Sequence, residues 1–337
     1  MVFTDVNGTV WGLEPGADLS SLELVSMDLN GVNLSHADLS NANLSWTDLG
    51  GANLSQAILC SADLTEADLR QADLIWANLA GGNLKGANLA EADIRQADLR
   101  WANLTGANLI GAKFSGADLR NADLSEADLS DADFKYADLR GVILSEANLK
   151  GANLVRAYYS AKTKFPDGFN YHSQGAIGPK TNLSGADLRN TDLSKADLKG
   201  ANLVRAYYSA KTKFPDGFDY QNQGAIGPKT DLRDTDLRDT DLRDTDLRDA
   251  DLSKADLSKA DLSKADLRES DLSGTNFTGA NLTGARLRDA NLTNADLSDA
   301  NLTKATMLNK ANLTNIKYNQ KTVFPPRIIP PPSRKDS

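Results

Sequence analysis

Leucine recurs at every fifth position over most of this chain, and neither regular secondary structure accommodates that period. The stretch "ADLSNANLSWTDLGGANLSQ", which begins at Ala37, has Asp or Asn before each leucine and usually Ala before that. On an α-helix, each step of five residues rotates by about 140°, so the leucines would form no apolar stripe. On a straight strand, successive leucines would point to opposite faces, and half of them would lie in water.

A bend once per pentad removes the conflict. Ala and Leu, two residues apart, then point inward together, while the Asp or Asn between them points outward. The last two residues are mostly small, polar or charged and form the corner, where turn-forming residues are favoured. Two features indicate twenty residues per coil: the central residues Phe114 and Phe134, and the series Arg100, Arg120 and Arg140. An interior filled by Leu and Ala leaves no cavity for a substrate.

This pattern resembles the A(D/N)LXX motif of the pentapeptide-repeat family. It is matched by "ADLSN" at Ala37, "ANLTG" at Ala102 and "ADLSK" at Ala255, and the likeness covers nearly everything from Ala17 to Tyr318. The resemblance implies an all-β fold, a right-handed, four-sided (quadrilateral) β-helix solenoid with Leu at the centre of each side. It also implies a bacterial protein, since many members are bacterial and the family is abundant in cyanobacteria.

Two nearly identical passages interrupt the repeats. "AYYSAKTKFPDGFNYHSQGAIGPKT" begins at Ala157, and "AYYSAKTKFPDGFDYQNQGAIGPKT" begins at Ala206. A related pattern, "YNQKTVFPP", begins at Tyr318, where the repeats end. A central Tyr is too large for a Leu position, Phe-Pro requires an extended residue, and Pro-Asp-Gly forms a turn. The passages therefore predict an exit from the coil, and the fold prediction is a solenoid with two inserted loops.

Two ways back into the coil are open. The favoured one is a surface excursion, because Pro166 and the Gly178-Pro179 pair interrupt strand ladders. The alternative is a swollen coil of four six-residue sides, marked in the first copy by Tyr159, Phe165, Tyr171, Ile177 and Leu183. Recent duplication alone also explains the near-identity of the two copies.

The chain thus divides into seven segments. They are an N-terminal cap (1–16), a first β-helix block (17–161), a first loop excursion (162–180), a second block (181–210), a second loop excursion (211–229), a third block (230–320) and a proline-rich disordered tail (321–337). The cap is predicted from apolar residues outside the pentad pattern, among them Val6, Val10 and Trp11, which would cover an open strand edge. The second block is under two coils long and must stack on its neighbours.

Composition narrows the setting and the partners. The net charge of −9 and the pI of about 4.9 oppose direct binding to nucleic acid. Cys60 is the only cysteine, so no intrachain disulfide forms and a reducing compartment is the simplest setting. The start of the chain lacks the features of a secretory signal, and no apolar run is long enough to cross a membrane. These observations predict a cytoplasmic protein without membrane insertion.

No residue set indicates a chemical reaction. The chain has two histidines and one cysteine, and the second passage replaces the histidine of the first by Gln. The aspartates recur on every side of the coil and are interpreted as solvated rows. The sequence therefore predicts no catalytic, cofactor or metal site, and a protein that is not an enzyme.

Candidate binding residues come from one surface row and from the two passages. On a twenty-residue coil, Trp76, Tyr136 and Arg156 share an outward corner row, and aromatic and cationic residues are common in protein-binding hot spots. Each passage would display a basic and aromatic knob, although its rings would be buried if it served only as a structural plug. The candidate partner-binding residues are Trp76, Tyr136, Arg156, Lys162, Lys164, Phe169, Lys211, Lys213 and Phe218.

The predicted function is a non-enzymatic scaffold, with a regulatory role, that binds a protein partner through its outer faces and loops. The resemblance supports this prediction because some members of the family act as regulators through protein contacts. The alternative is an acidic DNA mimic that binds DNA gyrase or another DNA-binding protein, as the resemblance to quinolone-resistance members implies. Arg and Lys at many corners dilute the charge that such mimicry needs. The sequence specifies neither the identity of the partner nor the oligomeric state.

Overall fold

The computed structural model describes residues 2–4, 10–220, 223–326 and 328–333 of the chain. These residues begin with a hairpin of two antiparallel strands, β1 (Val2–Thr4) and β2 (Val10–Gly12). Two short 3₁₀ helices follow, Tyr171–Gln174 and Leu308–Lys310. The rest of the regular hydrogen bonding comes from single parallel bridges between successive coils. No helix with the length and hydrophobicity of a membrane span occurs in the described residues.

The chain forms two compact units. Unit 1 contains Met1–Thr181 and Ala196–Gly200, and unit 2 contains Asn182–Lys195 and Ala201–Ser337. Each unit has its own core of buried Leu and Ala side chains, from Leu13 to Ala176 in unit 1 and from Ile226 to Ile316 in unit 2.

The coils of unit 1 repeat every twenty residues. In each pentad, the residue before the central leucine bridges in parallel to its counterpart twenty positions later, as Asp18 bridges Asp38. The bridges form four ladders, which start at Asp18, Glu23, Asp28 and Asn33. This is the period that the spacing of the Phe and Arg residues indicates in the sequence. Unit 1 is therefore a β-helix with four pentads in each regular coil.

The Asp or Asn of each pentad closes the corner that follows it. Its side-chain oxygen accepts a hydrogen bond from the backbone N–H two residues later, at 2.9 Å from Ser40 to Asp38 and at 3.0 Å from Ser55 to Asn53. The fifth residue then adopts the left-handed conformation, as at Asn41 with φ 57°. Such Asx turns replace backbone hydrogen bonds at a bend. The sequence interpretation of solvated rows overlooked this structural role.

The interior of the described coils is filled by side chains. The central leucines and most of the alanines two residues before them are buried and belong to the cores of the two units. Phe114 and Phe134 replace leucine in successive coils of unit 1. Both rings are fully buried and stack in parallel, with centroids 4.8 Å apart and an interplanar angle of 6°.

The N-terminal hairpin leads directly into the first coil. Trp11 on β2 is half-buried and packs against the core of unit 1, and the buried Leu13 belongs to that core. Val10, which the sequence analysis assigned to the cap, is exposed, and Val6 lies outside the described residues. A capping role for residues 1–16 stays a prediction.

The first passage continues the coil, in contrast to the predicted excursion. Lys164 bridges Ile143, 21 residues earlier, and Ile177 bridges Tyr158, 19 residues earlier. The 3₁₀ helix Tyr171–Gln174 lies between these two bridges. Because the coil closes at Ile177, the passage is one irregular turn and also differs from the alternative of four six-residue sides. The second passage repeats this arrangement in unit 2, where the bridges join Asp192 to Lys213 and Tyr207 to Ile226.

Side-chain hydrogen bonds and ring contacts hold this irregular turn together. The Thr163 hydroxyl donates to the Leu139 carbonyl at 2.8 Å and accepts from the Ser160 N–H at 3.1 Å. The Tyr159 ring meets Phe165 edge-on, with centroids 5.7 Å apart, and its hydroxyl donates to the Pro179 carbonyl at 2.8 Å. The equivalent residues of the second passage, which make the same contacts, are Thr212, Leu188, Ser209, Tyr208, Phe214 and Pro228.

The same set of residues folds the C-terminal segment back onto the last coil. Tyr318 meets Phe324 edge-on at 5.2 Å and donates its hydroxyl to the Pro331 carbonyl at 3.0 Å. Ser333 donates to the Tyr318 carbonyl and accepts from the Tyr318 N–H. The tail is thus ordered over residues 321–326 and 328–333, in contrast to the predicted disorder. The Pro331 carbonyl and the Ser333 hydroxyl hold it against Tyr318.

The buried Tyr208 should make unit 2 sensitive to alkaline pH. Burial raises the pKa of Tyr208 to about 12, so the folded protein keeps this proton above the ordinary tyrosine pKa of about 10. The resulting stabilisation is complete below about pH 10 and is lost as the pH rises toward about 12. We expect the urea midpoint of unit 2, followed by circular dichroism, to fall over this range. The urea midpoint of the Tyr208→Phe variant should fall less steeply with pH. Equal slopes for the two proteins would contradict the assignment of this effect to Tyr208.

Candidate interaction surface

The corner row that contains Trp76 flanks the ladder that starts at Asp18. Its members succeed one another at intervals of twenty residues, because the backbone N–H of each donates to the residue nineteen positions later. The Trp76 N–H donates to the Arg95 carbonyl at 3.1 Å, and the Tyr136 N–H donates to the Val155 carbonyl at 3.2 Å. The structure therefore brings Trp76, Tyr136 and Arg156 into one row.

A second aromatic residue stands on the opposite edge of the same ladder. Trp101 follows the ladder residue Asp98, and the guanidinium of Arg100 lies 5.3 Å from the centroid of its ring. The sequence analysis missed Trp101 because it compared residues along one row only. A comparison of the corner rows on both sides of this ladder would have found Trp101.

The exposed aromatic residues of unit 1 adopt a conformation that disfavours them. Trp46, Trp76, Trp101 and Tyr136 all have φ between 58° and 62°, and the three tryptophans are 63%, 61% and 60% exposed. For residues other than glycine, the left-handed conformation costs about 1–2 kcal/mol, and bulky side chains seldom adopt it. Because these side chains are mostly exposed, burial in the core does not account for aromatic residues at these corners.

Two cations enclose the ring of Tyr136. The Lys135 ammonium lies 5.3 Å and the Arg156 guanidinium 5.8 Å from the ring centroid, both within the range of a cation–π contact. Within the described part of the chain, no carboxylate oxygen lies within 4.0 Å of either cation. Two positive charges that no acidic side chain neutralises thus lie close to the ring of Tyr136.

The arginine row beside this ladder is fully compensated. Arg100, Arg120 and Arg140 each pair with the Asp two residues earlier, at 2.5, 2.6 and 2.6 Å. Arg120 also approaches Asp138 on the next coil at 3.7 Å, so two guanidinium groups hold that buried carboxylate. The hydrogen bond to Asp138 raises the pKa of Arg140 above its ordinary value. Local ion pairs therefore neutralise this arginine row.

The candidate residues of the first passage divide into two groups. Phe169 is half-buried and packs against the core of unit 1, with its ring 6.0 Å from that of Phe165. Lys162 and Lys164 are exposed. The half-buried position of Phe169 therefore agrees with a structural plug. The exposure of Lys162 and Lys164 agrees with a basic binding surface.

The second passage places the same residue types in different surroundings. Phe218 is half-buried and lies 6.1 Å from Phe214, and Lys211 is exposed. The Lys213 ammonium, in contrast to Lys164, forms an ion pair with Asp192 at 3.0 Å. Hydrogen bonds from Ser194 and Lys213 lower the pKa of Asp192 to about 2.

Comparison with known proteins identifies the family. The model of the family described as pentapeptide repeats matches this chain in overlapping copies over residues 37–158, 179–207 and 230–317. These segments make up more than half of the sequence, so the chain belongs to the pentapeptide-repeat family. Its fold is the right-handed β-helix of that family. None of the curated proteins matches the chain.

Several solved structures are similar to this chain. One is alr5209, a pentapeptide repeat protein from Nostoc Pcc 7120, which is 43% identical over 29% of this chain and 82% of its own, with a TM-score of 0.29. HetL, a pentapeptide repeat protein involved in heterocyst differentiation regulation from the cyanobacterium Nostoc sp. strain PCC 7120, is 25% identical over 93% of both chains, with a TM-score of 0.22. QnrB1, a plasmid-mediated fluoroquinolone resistance protein, is 13% identical over 89% of this chain and 90% of its own, with a TM-score of 0.24.

Proposed function

We propose that this protein is a non-enzymatic scaffold that binds a protein partner through the outer surface of its coils. The observation that carries the proposal is the placement of exposed tryptophan and tyrosine at left-handed corners, where they strain the backbone and cover no core. Aromatic side chains are enriched in the hot spots of protein interfaces. The interior of the described coils is filled by Leu, Ala and Phe, so the proposed binding surface is external.

The proposed scaffold is a four-sided coil in which each ladder forms the centre of one side. The side centred on the Asp18 ladder is the proposed contact surface, because Trp76 and Trp101 flank it on opposite edges. Its arginine row is neutralised by aspartate, which lowers the cost of removing the side from water in a complex. The free thiol of Cys60 fits a reducing, cytoplasmic setting for this function.

Replacing Trp76 and Trp101 together by glycine should weaken partner binding without loss of stability. Glycine relieves the left-handed strain at both corners, so we expect the melting temperature to stay the same or rise. We expect capture of the partner from a lysate of the native host to fall at least tenfold, as measured by saturation with increasing lysate. A tenfold loss corresponds to about 1.4 kcal/mol, which truncation of one hot-spot aromatic exceeds.

Trp46 supplies the matched control. It is as exposed as Trp76 and has the same backbone conformation, but its corner follows the ladder that starts at Glu23. The Trp46→Gly variant should retain the partner. Equal loss in both variants would place the contact elsewhere, and a wild-type protein without a saturable partner would refute the scaffold function.

A second candidate function is that of an acidic DNA mimic, as the fluoroquinolone-resistance protein QnrB1 suggests. One corner row of unit 1 favours it, because it holds Glu66, Glu126 and Glu146, with Gly86 and Gly106 between the first two and no basic residue at these corner positions. The ion pairs of Arg233 with Asp231 and of Arg238 with Asp236 oppose it in unit 2. DNA supercoiling by gyrase with a large molar excess of this protein tests the alternative, and an unchanged rate would exclude it.

A further inference from the structure

Two successive coils near the end of unit 1 carry a group of cationic and aromatic side chains that the scaffold proposal does not explain. We call this group the tyrosine patch; it consists of Lys135, Tyr136, Arg156, Tyr158, Lys162 and Lys164. Tyr158 bridges Asp138 and ends the regular part of the first ladder. Lys135, Tyr136 and Arg156 lie on one edge of that ladder. Lys162 lies on the other edge, since the hydroxyl of the adjacent Thr163 accepts from the Gly141 N–H at 3.1 Å.

Two carboxylates on the ladders beside the tyrosine patch are already engaged. Asp138 is only 5% exposed and is bound by Arg140 at 2.6 Å. Asp133, on the neighbouring ladder, accepts hydrogen bonds from the Asn153 amide at 2.9 Å and from the Lys135 N–H at 3.1 Å.

The four cations of the tyrosine patch therefore keep their charges available. Lys164 bridges Ile143, so an apolar side chain stands one coil below it where an acid would pair. No carboxylate oxygen of a described residue lies within 4.0 Å of Lys135, Lys162 or Lys164, as already noted for Arg156. The result is a local concentration of positive charge on a protein whose net charge is −9.

The second passage serves as an internal comparison. The fifteen residues "VRAYYSAKTKFPDGF" are identical in the two copies, which begin at Val155 and Val204. One coil earlier, however, Gly185 stands in the place of Tyr136, and Asp192 stands in the place of Ile143. Consequently Lys213 is neutralised by Asp192 at 3.0 Å.

The second arginine is also engaged within its own unit. The Arg205 guanidinium donates to the Asp236 carbonyl at 3.0 Å. Identical segments thus form an available cationic surface in unit 1 and an internally bonded one in unit 2. The difference arises from residues outside the identical segments, Asp192 before the second passage and Asp236 after it.

We propose that the tyrosine patch binds a short acidic segment of a partner protein. This inference rests on the proposed scaffold function and names the chemistry of the partner at one place on the surface. Carboxylates of the segment pair with the unneutralised Arg156, Lys162 and Lys164, and an apolar or aromatic side chain of the segment packs on the ring of Tyr136. A polyanion longer than the patch would run along a protein of net charge −9, which disfavours nucleic acid.

The test uses a fluorescein-labelled peptide of ten residues that contains glutamate and one tryptophan. Binding to the full chain is measured by fluorescence anisotropy at low and at high salt. The Arg156→Gln, Lys162→Gln, Lys164→Gln variant should bind at least about tenfold more weakly than the wild type, a loss of about 1.4 kcal/mol. The binding of the wild type should also weaken as salt increases, because the contacts are between exposed charges.

The matched control carries the same three substitutions in the second passage, Arg205→Gln, Lys211→Gln and Lys213→Gln. We expect it to bind the peptide within about twofold of the wild type, which is under 0.5 kcal/mol. Both variants should melt as the wild type does, since the substituted side chains are at the surface. Equal weakening by the two variants would overturn the proposal, because it would attribute binding to net charge alone.

Two further outcomes separate this inference from the scaffold function. Tighter binding of a single-stranded DNA oligonucleotide of equal charge than of the peptide would refute a protein segment as the ligand. Failure of the wild type to bind the peptide would refute the acidic partner. The scaffold function would still stand in that case if the Trp76 and Trp101 variant lost its partner.

Discussion

Replacing Phe114 by alanine should cost about 3–5 kcal/mol of the free energy of unfolding of unit 1. Phe114 is fully buried and stacks on Phe134, so the substitution leaves a cavity and removes the ring contact. The surrounding leucines are fixed by the ladders on every side and cannot collapse into the space. Tryptophan fluorescence during urea unfolding measures the effect selectively, because Trp11, Trp46, Trp76 and Trp101 all belong to unit 1.

A Phe114→Leu variant is the matched control. Leucine is the central residue of most pentads, and its loss should be limited to the ring contact, about 0.5–1.5 kcal/mol, together with the small difference in volume. Phe277 of unit 2 gives a second control, since it is equally buried but belongs to the other core. A loss below about 1 kcal/mol for Phe114→Ala would mean that the coil relaxes around the gap.

Removal of residues 325–337 should convert the protein into a self-associating species. The truncation deletes Pro331 and Ser333, which bind the hydroxyl and the backbone of Tyr318. The last coil then presents unpaired backbone groups, and an uncovered strand edge invites pairing with another chain. We expect size-exclusion chromatography with light scattering to detect concentration-dependent oligomers that the full chain does not form.

Two smaller changes serve as controls for the truncation. Removal of 334–337 alone leaves every contact of Tyr318 that is described here intact and should not alter the oligomeric state. Tyr318→Phe loses one hydrogen bond, worth about 1 kcal/mol, and should destabilise the last coil without creating oligomers. If the full chain and the protein without residues 325–337 have the same oligomeric state, the tail does not protect the last coil from association.

The regular coils could be predicted from the sequence because their information is local. The direction of Ala and Leu follows from their spacing within one pentad, and the period of twenty follows from Phe114 and Phe134. The conformation of the passages could not be obtained in this way. The Thr163 hydroxyl, for example, bonds to the carbonyl of Leu139, 24 residues earlier, and this contact exists only after the coils have stacked.

The proline-rich tail was misjudged for a related reason. Its composition is typical of disordered segments, whereas its order depends on a tyrosine outside the segment. The Pro331 carbonyl accepts from Tyr318 just as the Pro179 carbonyl accepts from Tyr159. The shared Tyr, Thr and Phe-Pro pattern was visible in the sequence, but it was interpreted as an exit from the coil.

The difference between the two passages also had a signal in the sequence. A comparison of the two identical segments alone does not reveal this signal. The residues that differ, Ile143 and Asp192, lie about one coil before them. In a β-helix, the neighbours of a residue along the axis define its environment more than its neighbours along the chain do.

Because of the Asx turns, the surface charge of this fold can change without a change in its backbone. Most corners use a side-chain oxygen of the residue before the leucine, and Asn33, Asn53 and Asp73 supply it equally well on a single ladder. Mutation can therefore add or remove a negative charge at one coil after another without a change in the backbone. A lineage of such proteins could exchange one partner for another by altering the electrostatic pattern alone, while the coil that displays the pattern stays the same.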